Sequence, residues 1–203
     1  MMNLTEEGIA WIAEQENSAD CYNPRPEWPG ESSGLTIGIG YDLGYNSQFN
    51  FESDWASILP DAQIRRLRGC CGLKGEAAKH LPKEFADVHI SRVAALDVFE
   101  RVTVPRFYLQ TLRIYPQSID LPSDAAAALV SLVFNRGNSL TGERRVEMVR
   151  IKDALSSRNW SAVPELFRAQ KRLWPDCEGL RDRRDREADL FASAIFKLQQ
   201  SDA

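Results

Sequence analysis

The chain has 203 residues, a net charge of −4 and a sequence pI of about 5.3; this acidic balance argues against a nucleic-acid partner, which needs a basic surface, and gives no long-range attraction to an anionic cell wall. Hydrophobic residues make up 43% and charged residues 27%, the balance of a globular protein with one large domain or two small lobes sharing a core. No run of about 18 apolar residues occurs, so no membrane-spanning helix is expected, and the start carries Glu6 and Glu7 without a basic segment leading into an apolar one, so it does not read as a secretory signal.

Residues 5–16 read as an amphipathic helix capped by Thr5, with Ile9, Ile12 and Ala13 on one face and Gly8 unusual inside it. The helix ends at Glu14-Gln15-Glu16-Asn17-Ser18. A long loop follows, with Pro24, Pro26 and Pro29, and with Trp28 as a binding rim or an anchor. Residues 34–44 then run Gly-Leu-Thr-Ile-Gly-Ile-Gly-Tyr-Asp-Leu-Gly. Glycines set among β-branched and aromatic residues predict a short strand that turns sharply and admits close approach of another backbone or a ligand. Thr36 is expected at the start of the strand and Asp42 at the bend. A short helix is expected over 51–59 and another over 61–67. Ser91 is a candidate N-cap for a long helix reaching about residue 115, which Pro105 kinks or splits. Residues 125–134 are apolar nearly all round, the pattern of a helix buried on every side. Gly137 is expected to end it as a left-handed cap. Helices over 143–156, 160–173 and 180–198 complete the chain. The expected fold class is α+β, mostly α, with strands confined to roughly residues 20–50.

The glycine spacing does not match a dinucleotide loop, and no Lys-Ser/Thr pair follows to make a phosphate loop. His80 and His89 stand nine apart without a carboxylate at ligand spacing, which gives metal chemistry little support, and neither neighbours a nucleophile elbow. Cys21, Cys70, Cys71 and Cys177 match no zinc pattern; they read as free thiols, with a Cys21–Cys177 bridge as the alternative. Carboxylates remain. Glu14 and Glu16 end the first helix ahead of a hairpin that carries Thr36 and Asp42. Glycoside hydrolysis needs two carboxylates facing across a cleft, one of them kept protonated by burial or apolar neighbours. The alternative is a solvated glutamate and a turn-capping aspartate. Asp20, Glu27 and Glu31 are further loop carboxylates, ranked below Asp42.

Three stretches in order resemble phage-type lysozymes. Thr36-Ile37-Gly38-Ile39-Gly40 is similar to that family's Thr-Ile-Gly-x-Gly hairpin. Ala128-Leu129-Val130-Ser131-Leu132-Val133-Phe134-Asn135-Arg136-Gly137 is similar to its central helix, and the segment from Gly179 to Phe191 to its Gly-Leu-x-x-Arg-Arg-x-x-Glu-x-x-Leu-Phe ending. The phage enzymes place an aspartate or cysteine between the glutamate and the threonine. Counting from either side finds Gly30 or Arg25 there, and neither can serve. The run Thr-Ile-Gly-x-Gly-Tyr-Asp-Leu-Gly instead resembles the pesticin-like branch of toxins and secreted effectors. There the aspartate follows the threonine within the hairpin, here at Asp42.

The resemblance implies a single lysozyme-like domain over 1–203 with two lobes. Residues of about 17–59 would form the small lobe with the hairpin, about 60–115 connecting helices, and about 121–200 a larger helical lobe on which helix 5–16 packs. It implies a muramidase that cleaves the β-1,4 bond between N-acetylmuramic acid and N-acetylglucosamine and needs no cofactor. Glu16 would be the general acid, with Glu14 its rival. Asp42 would position or deprotonate the attacking water or stabilise the oxocarbenium-like centre, and Thr36 would hold that water. Asn135 would line the cleft floor, Arg183 would approach the catalytic glutamate, and Tyr41 and Tyr45 would stack on sugars or pack in the hairpin. The expected partners are peptidoglycan glycan strands and, for an effector, a cognate immunity protein inserted near Asp42. The protein is expected to be a monomer, made in the cytoplasm and carried to the periplasm or cell wall by a secretion system or by lysis. A prophage endolysin, or a glycan- or protein-binding module without activity, is the alternative.

Overall fold

The computed structural model describes residues 2–16 and 22–201. In chain order the regular elements are α1 (Glu6–Glu16), β1 (Thr36–Ile37), β2 (Tyr41–Asp42), α2 (Gln48–Trp55), α3 (Asp61–Leu67), α4 (Leu81–Glu84), α5 (Arg92–Val98), α6 (Val104–Ile114), α7 (Ser123–Arg136), α8 (Val146–Ser156), α9 (Val163–Ala169) and α10 (Glu178–Ser201). Short 3-10 turns link many of them. The protein is α+β and mostly α, and β1 and β2 form an antiparallel pair. Among the described residues no helix is long and apolar enough to cross a membrane. The chain divides into two compact units, one of Glu16–Thr103 and one of Met1–Gln15 with Val104–Ala203.

The unit of Glu16–Thr103 is built round the hairpin. Leu35, Ile37, Ile39, Tyr41 and Leu43 alternate along it and are all buried, together with Phe51 and Trp55 of α2. α2 starts at Gln48 rather than 51 because the Ser47 hydroxyl accepts from the Asn50 amide at 3.1 Å, a cap that the sequence reading passed over. Ser91 caps α5 as expected, accepting from the Ala94 amide at 3.2 Å. The long helix that follows is not simply kinked at Pro105. It widens into a π-helical stretch over Phe99–Thr103 before α6 begins. Proline has no amide proton to donate to the carbonyl four residues back, and its ring crowds that carbonyl, so the preceding turn opens. Residues 60–103, read from the sequence as connecting helices up to about 115, belong to this unit.

The other unit has α7 at its centre. Every residue from Ala125 to Val133 is buried, as an all-apolar helix requires. α10 packs on α7 and α9, and α8 packs on α9, closing a core that includes Leu129, Leu132, Met148, Ile151, Phe167, Phe191 and Ile195. Gly8 has a packing reason. A Cβ there would stand 3.2 Å from Ser123 Oγ and 3.5 Å from Ala127 Cβ, so glycine lets α1 lie close to α7. The Thr5 amide donates to Ser123 Oγ at 2.8 Å and fixes the same contact. Gly137 follows α7 with φ 75° and ψ 176°. This positive φ lies in the region that favours glycine, so Gly137 caps α7 as expected, with a ψ that leaves the left-handed helical range. Its amide still closes the last turn on Val133 O at 2.7 Å.

Candidate active site

The hairpin sets the geometry of the site. Thr36 pairs directly with Asp42, and Ile37 with Tyr41. The bend is therefore the three residues between, where Gly38 and Gly40 take positive φ, and not Asp42 as the sequence reading had it. On its other edge Thr36 is bridged to Glu27, with amide-to-carbonyl bonds of 2.8 and 2.9 Å in the two directions. Both backbone groups of Thr36 are thus used on the Glu27 side, and on the Asp42 side the Leu43 amide closes the pair by donating to the Leu35 carbonyl at 2.9 Å. Its side chain is buried, and Thr36 Oγ1 has no hydrogen-bond partner among the described residues. An unpaired buried hydroxyl costs roughly 1–3 kcal/mol of desolvation, so it marks a place where a water or a ligand group belongs.

Asp42 faces it across the pair. Its carboxylate accepts from the Gly34 amide at 3.0 and 3.1 Å and from the Gly44 amide at 2.8 Å. It therefore caps the 3-10 turn Leu43–Tyr45 and clamps the strand entry to it. Both glycines are needed for this. A Cβ on Gly34 would fall 2.4 Å from Gly44 N and 2.6 Å from Asp42 Oδ1. We expect Gly34→Ala to destabilise the fold by about 1–3 kcal/mol or more, because backbone rather than a flexible side chain must move; urea denaturation reads this, and an unchanged midpoint would contradict it.

Burial pushes the Asp42 carboxyl above its ordinary value of 3.8, more than the Gly34 and Gly44 amides and the Lys74 charge pull it down. Between the ordinary value and the raised one, the folded state holds more proton than the unfolded state. Stability from this group therefore falls as pH rises through that window. Asp42→Asn keeps an acceptor for both amides and lacks this loss, so its stability should gain on the wild type as pH rises through that window. Asp42→Ala leaves two amides without their acceptor and should melt clearly lower. Thermal melts across mildly acidic pH test both, and an Asn variant as unstable as the Ala variant would refute the clamp.

Two carboxylates end α1. Glu14 is exposed and Glu16 is half-buried. Tyr41 takes the packing alternative. It is 3% exposed, its hydroxyl donates to Asp54 Oδ2 at 2.6 Å, and its ring meets Trp55 edge-on at 5.5 Å, so it offers no face to a sugar. Tyr45 is 62% exposed. Its hydroxyl donates to the Ser32 carbonyl at 3.2 Å, and Lys74 Nζ lies 4.4 Å over the ring. Trp28 is an anchor, with Nε1 donating to the Ser33 carbonyl at 3.0 Å. Asn17, Ser18, Asp20 and Cys21 lie outside the described residues, and with them the Cys21–Cys177 bridge. Cys70 and Cys71 are free, and burial first of all pushes both thiols up to about 11, which leaves them mainly protonated and unreactive.

The remaining expected residues belong to the other unit. Asn135 is half-buried near the end of α7, and its Oδ1 is buried without a partner among the described residues. Arg183 is buried on α10. Its Nη2 donates to the carbonyl and hydroxyl of Ser131, both at 2.9 Å, and its Nε donates to Glu187 at 3.2 Å. Glu187 also accepts from the Ser131 hydroxyl at 2.7 Å and from Arg184 at 2.9 Å. Ser131, Arg184 and Glu187 were not singled out from the sequence. The signal was present: Arg183, Arg184 and Glu187 stand at i, i+1 and i+4 on the stripe that continues to Phe191 and Ile195, so three charges were due to be buried together.

No curated protein matches this chain in sequence. A family model covers residues 8–109, which hold Glu14, Glu16, the whole hairpin and Asp42 but neither Asn135 nor Arg183. On that match the chain belongs to the family described as Domain of unknown function (DUF8812).

Proposed function

We propose that the protein is a peptidoglycan hydrolase of the muramidase type, related to the pesticin-like branch of the phage-type lysozymes. The observation that carries this reading is the direct pairing of Thr36 with Asp42, which sets a buried unpartnered hydroxyl opposite a carboxylate. Such a pair can hold a water and orient it toward a sugar carbon. Glu16 is the general acid. Its half-buried position supports it over exposed Glu14. Asp42 acts on the water through the lone pairs that Gly34 and Gly44 do not use; an ionised carboxylate has about four acceptor sites. Tyr45 offers an exposed ring to a sugar. No step requires a metal or cofactor. Carriage to the wall as a secreted antibacterial effector, opposed by an immunity protein, is the biological role we favour.

One observation favours a second reading. The Asp42 carboxylate is already held by two backbone amides, as a purely structural clamp would be. On that reading the module binds glycan without cutting it. Incubation with purified sacculi separates the two. The muramidase reading expects falling turbidity and soluble muropeptides; protein that sediments with intact sacculi and releases nothing would support the binding module instead.

A further inference from the structure

A basic pocket lies in the unit of Met1–Gln15 and Val104–Ala203. After Arg136 the chain runs through an exposed turn to Gly142, whose φ is 102°, and enters the 3-10 turn Glu143–Arg145 that leads into α8. Arg136, Thr141, Gly142, Glu143, Arg144 and Arg145 line a pocket of about 410 Å³. Arg136 is 8% exposed, yet its guanidinium forms no ion pair with a carboxylate among the described residues. It donates to the Arg144 carbonyl and lies 4.8 Å over the Trp174 ring. Its Nε is buried and has no partner among the described residues. The neighbouring Glu147 is committed elsewhere, taking bonds of 2.5 and 3.1 Å from Arg172.

The pocket lining therefore sets three guanidinium groups against the single carboxylate of Glu143, a surplus of two positive charges. The electrostatics agree. Burial, then the charges of Arg145, Arg184 and Arg144, push Arg136 down to about 10 against the opposing pull of Glu147, and burial followed by Arg144 pushes Arg145 down. Like charges held together in a partly desolvated pocket repel one another until an anion joins them. The guanidinium fork matches the oxygens of a tetrahedral oxyanion, and a dianion neutralises the surplus. The acidic net charge of the whole chain gives no reason for such a patch; the local arrangement does.

We propose that this pocket is a binding site for a doubly charged phosphate group, either free phosphate or a phosphate monoester carried on a larger molecule. It is independent of the muramidase reading, and either can fail alone. The test is the melting temperature of the full chain in phosphate against sodium chloride at matched ionic strength, with glucose 6-phosphate as a second arm. A ligand at about ten times its dissociation constant should raise the wild-type melting temperature by roughly 3–5 °C. A rise with both compounds assigns the site to monoesters, and a rise with inorganic phosphate alone assigns it to the free ion. Arg144→Gln and Arg145→Gln should lose the rise. In chloride, Arg144→Gln should melt no lower than wild type, since it relieves repulsion on Arg136 and Arg145. Arg144 is exposed, so this variant decides the matter even if Arg145→Gln fails to fold. An equal rise in chloride, or a phosphate effect retained in Arg144→Gln, would overturn the proposal.

Discussion

Glu16→Gln is expected to slow the release of soluble muropeptides from purified peptidoglycan by about 10²–10⁴-fold, the usual contribution of a positioned general acid. The substitution preserves size and removes the transferable proton. Glu14→Gln is expected to leave the rate close to wild type. The two residues lie two positions apart near the end of one helix, so they point in different directions, and only Glu16 is withdrawn from solvent. The comparison is made at equal folded concentration, established from matching far-ultraviolet circular dichroism and urea midpoints. Activity lost in Glu14→Gln and kept in Glu16→Gln would reverse the assignment.

Glu187→Ala is expected to cost about 3–5 kcal/mol of stability. One carboxylate oxygen, Glu187 Oε1, accepts from Ser131, Arg183 and Arg184 at 2.7, 3.2 and 2.9 Å. Glu187 and Arg184 have no exposed surface, and Arg183 is 4% exposed. Removing the carboxylate takes a counter-charge and three hydrogen bonds out of a buried cluster, in a medium where charge is poorly solvated. Glu187→Gln keeps an acceptor for Ser131 but loses the charge, so it should fall between wild type and the Ala variant. Urea denaturation measures both. An Ala variant within about 1 kcal/mol of wild type, the range of an exposed pair, would show that the network contributes little. Arg183 and Ser131 share this network, so the expected cleft residue on α10 is held in place by a group that stands on the same helix.

Much of this architecture was legible from residue type and spacing. The all-apolar run at 125–134 could only be a buried helix, and it became α7. The glycines at 38 and 40 could only be a turn flanked by strands, and the pair β1–β2 formed there. What escaped the sequence was the set of contacts that depend on the third dimension. Asp42 was placed at the bend, whereas it lies in β2 and its carboxylate reaches eight residues back to the Gly34 amide. Tyr41 could have faced a sugar or the core; the alternation of Leu35, Ile37, Ile39 and Leu43 with it on the buried side decided for the core. The Pro105 disruption was foreseen, but not that the helix would relax upstream as a π-turn. The basic pocket went unnoticed because the net charge of −4 hides it. Arginines at 136, 144 and 145 converge only when α7 and the turn into α8 are folded.

The most direct test of the central claim is the chemical identity of the ends created in peptidoglycan. Purified sacculi are digested to completion, the products are reduced with borohydride, and the fragments are identified by mass spectrometry. A muramidase using Glu16 and Asp42 predicts muropeptides that end in reduced N-acetylmuramic acid, absent from parallel digests with Glu16→Gln and Asp42→Asn. Fragments ending in reduced N-acetylglucosamine or in anhydro-N-acetylmuramic acid, or no new ends at all, would contradict it.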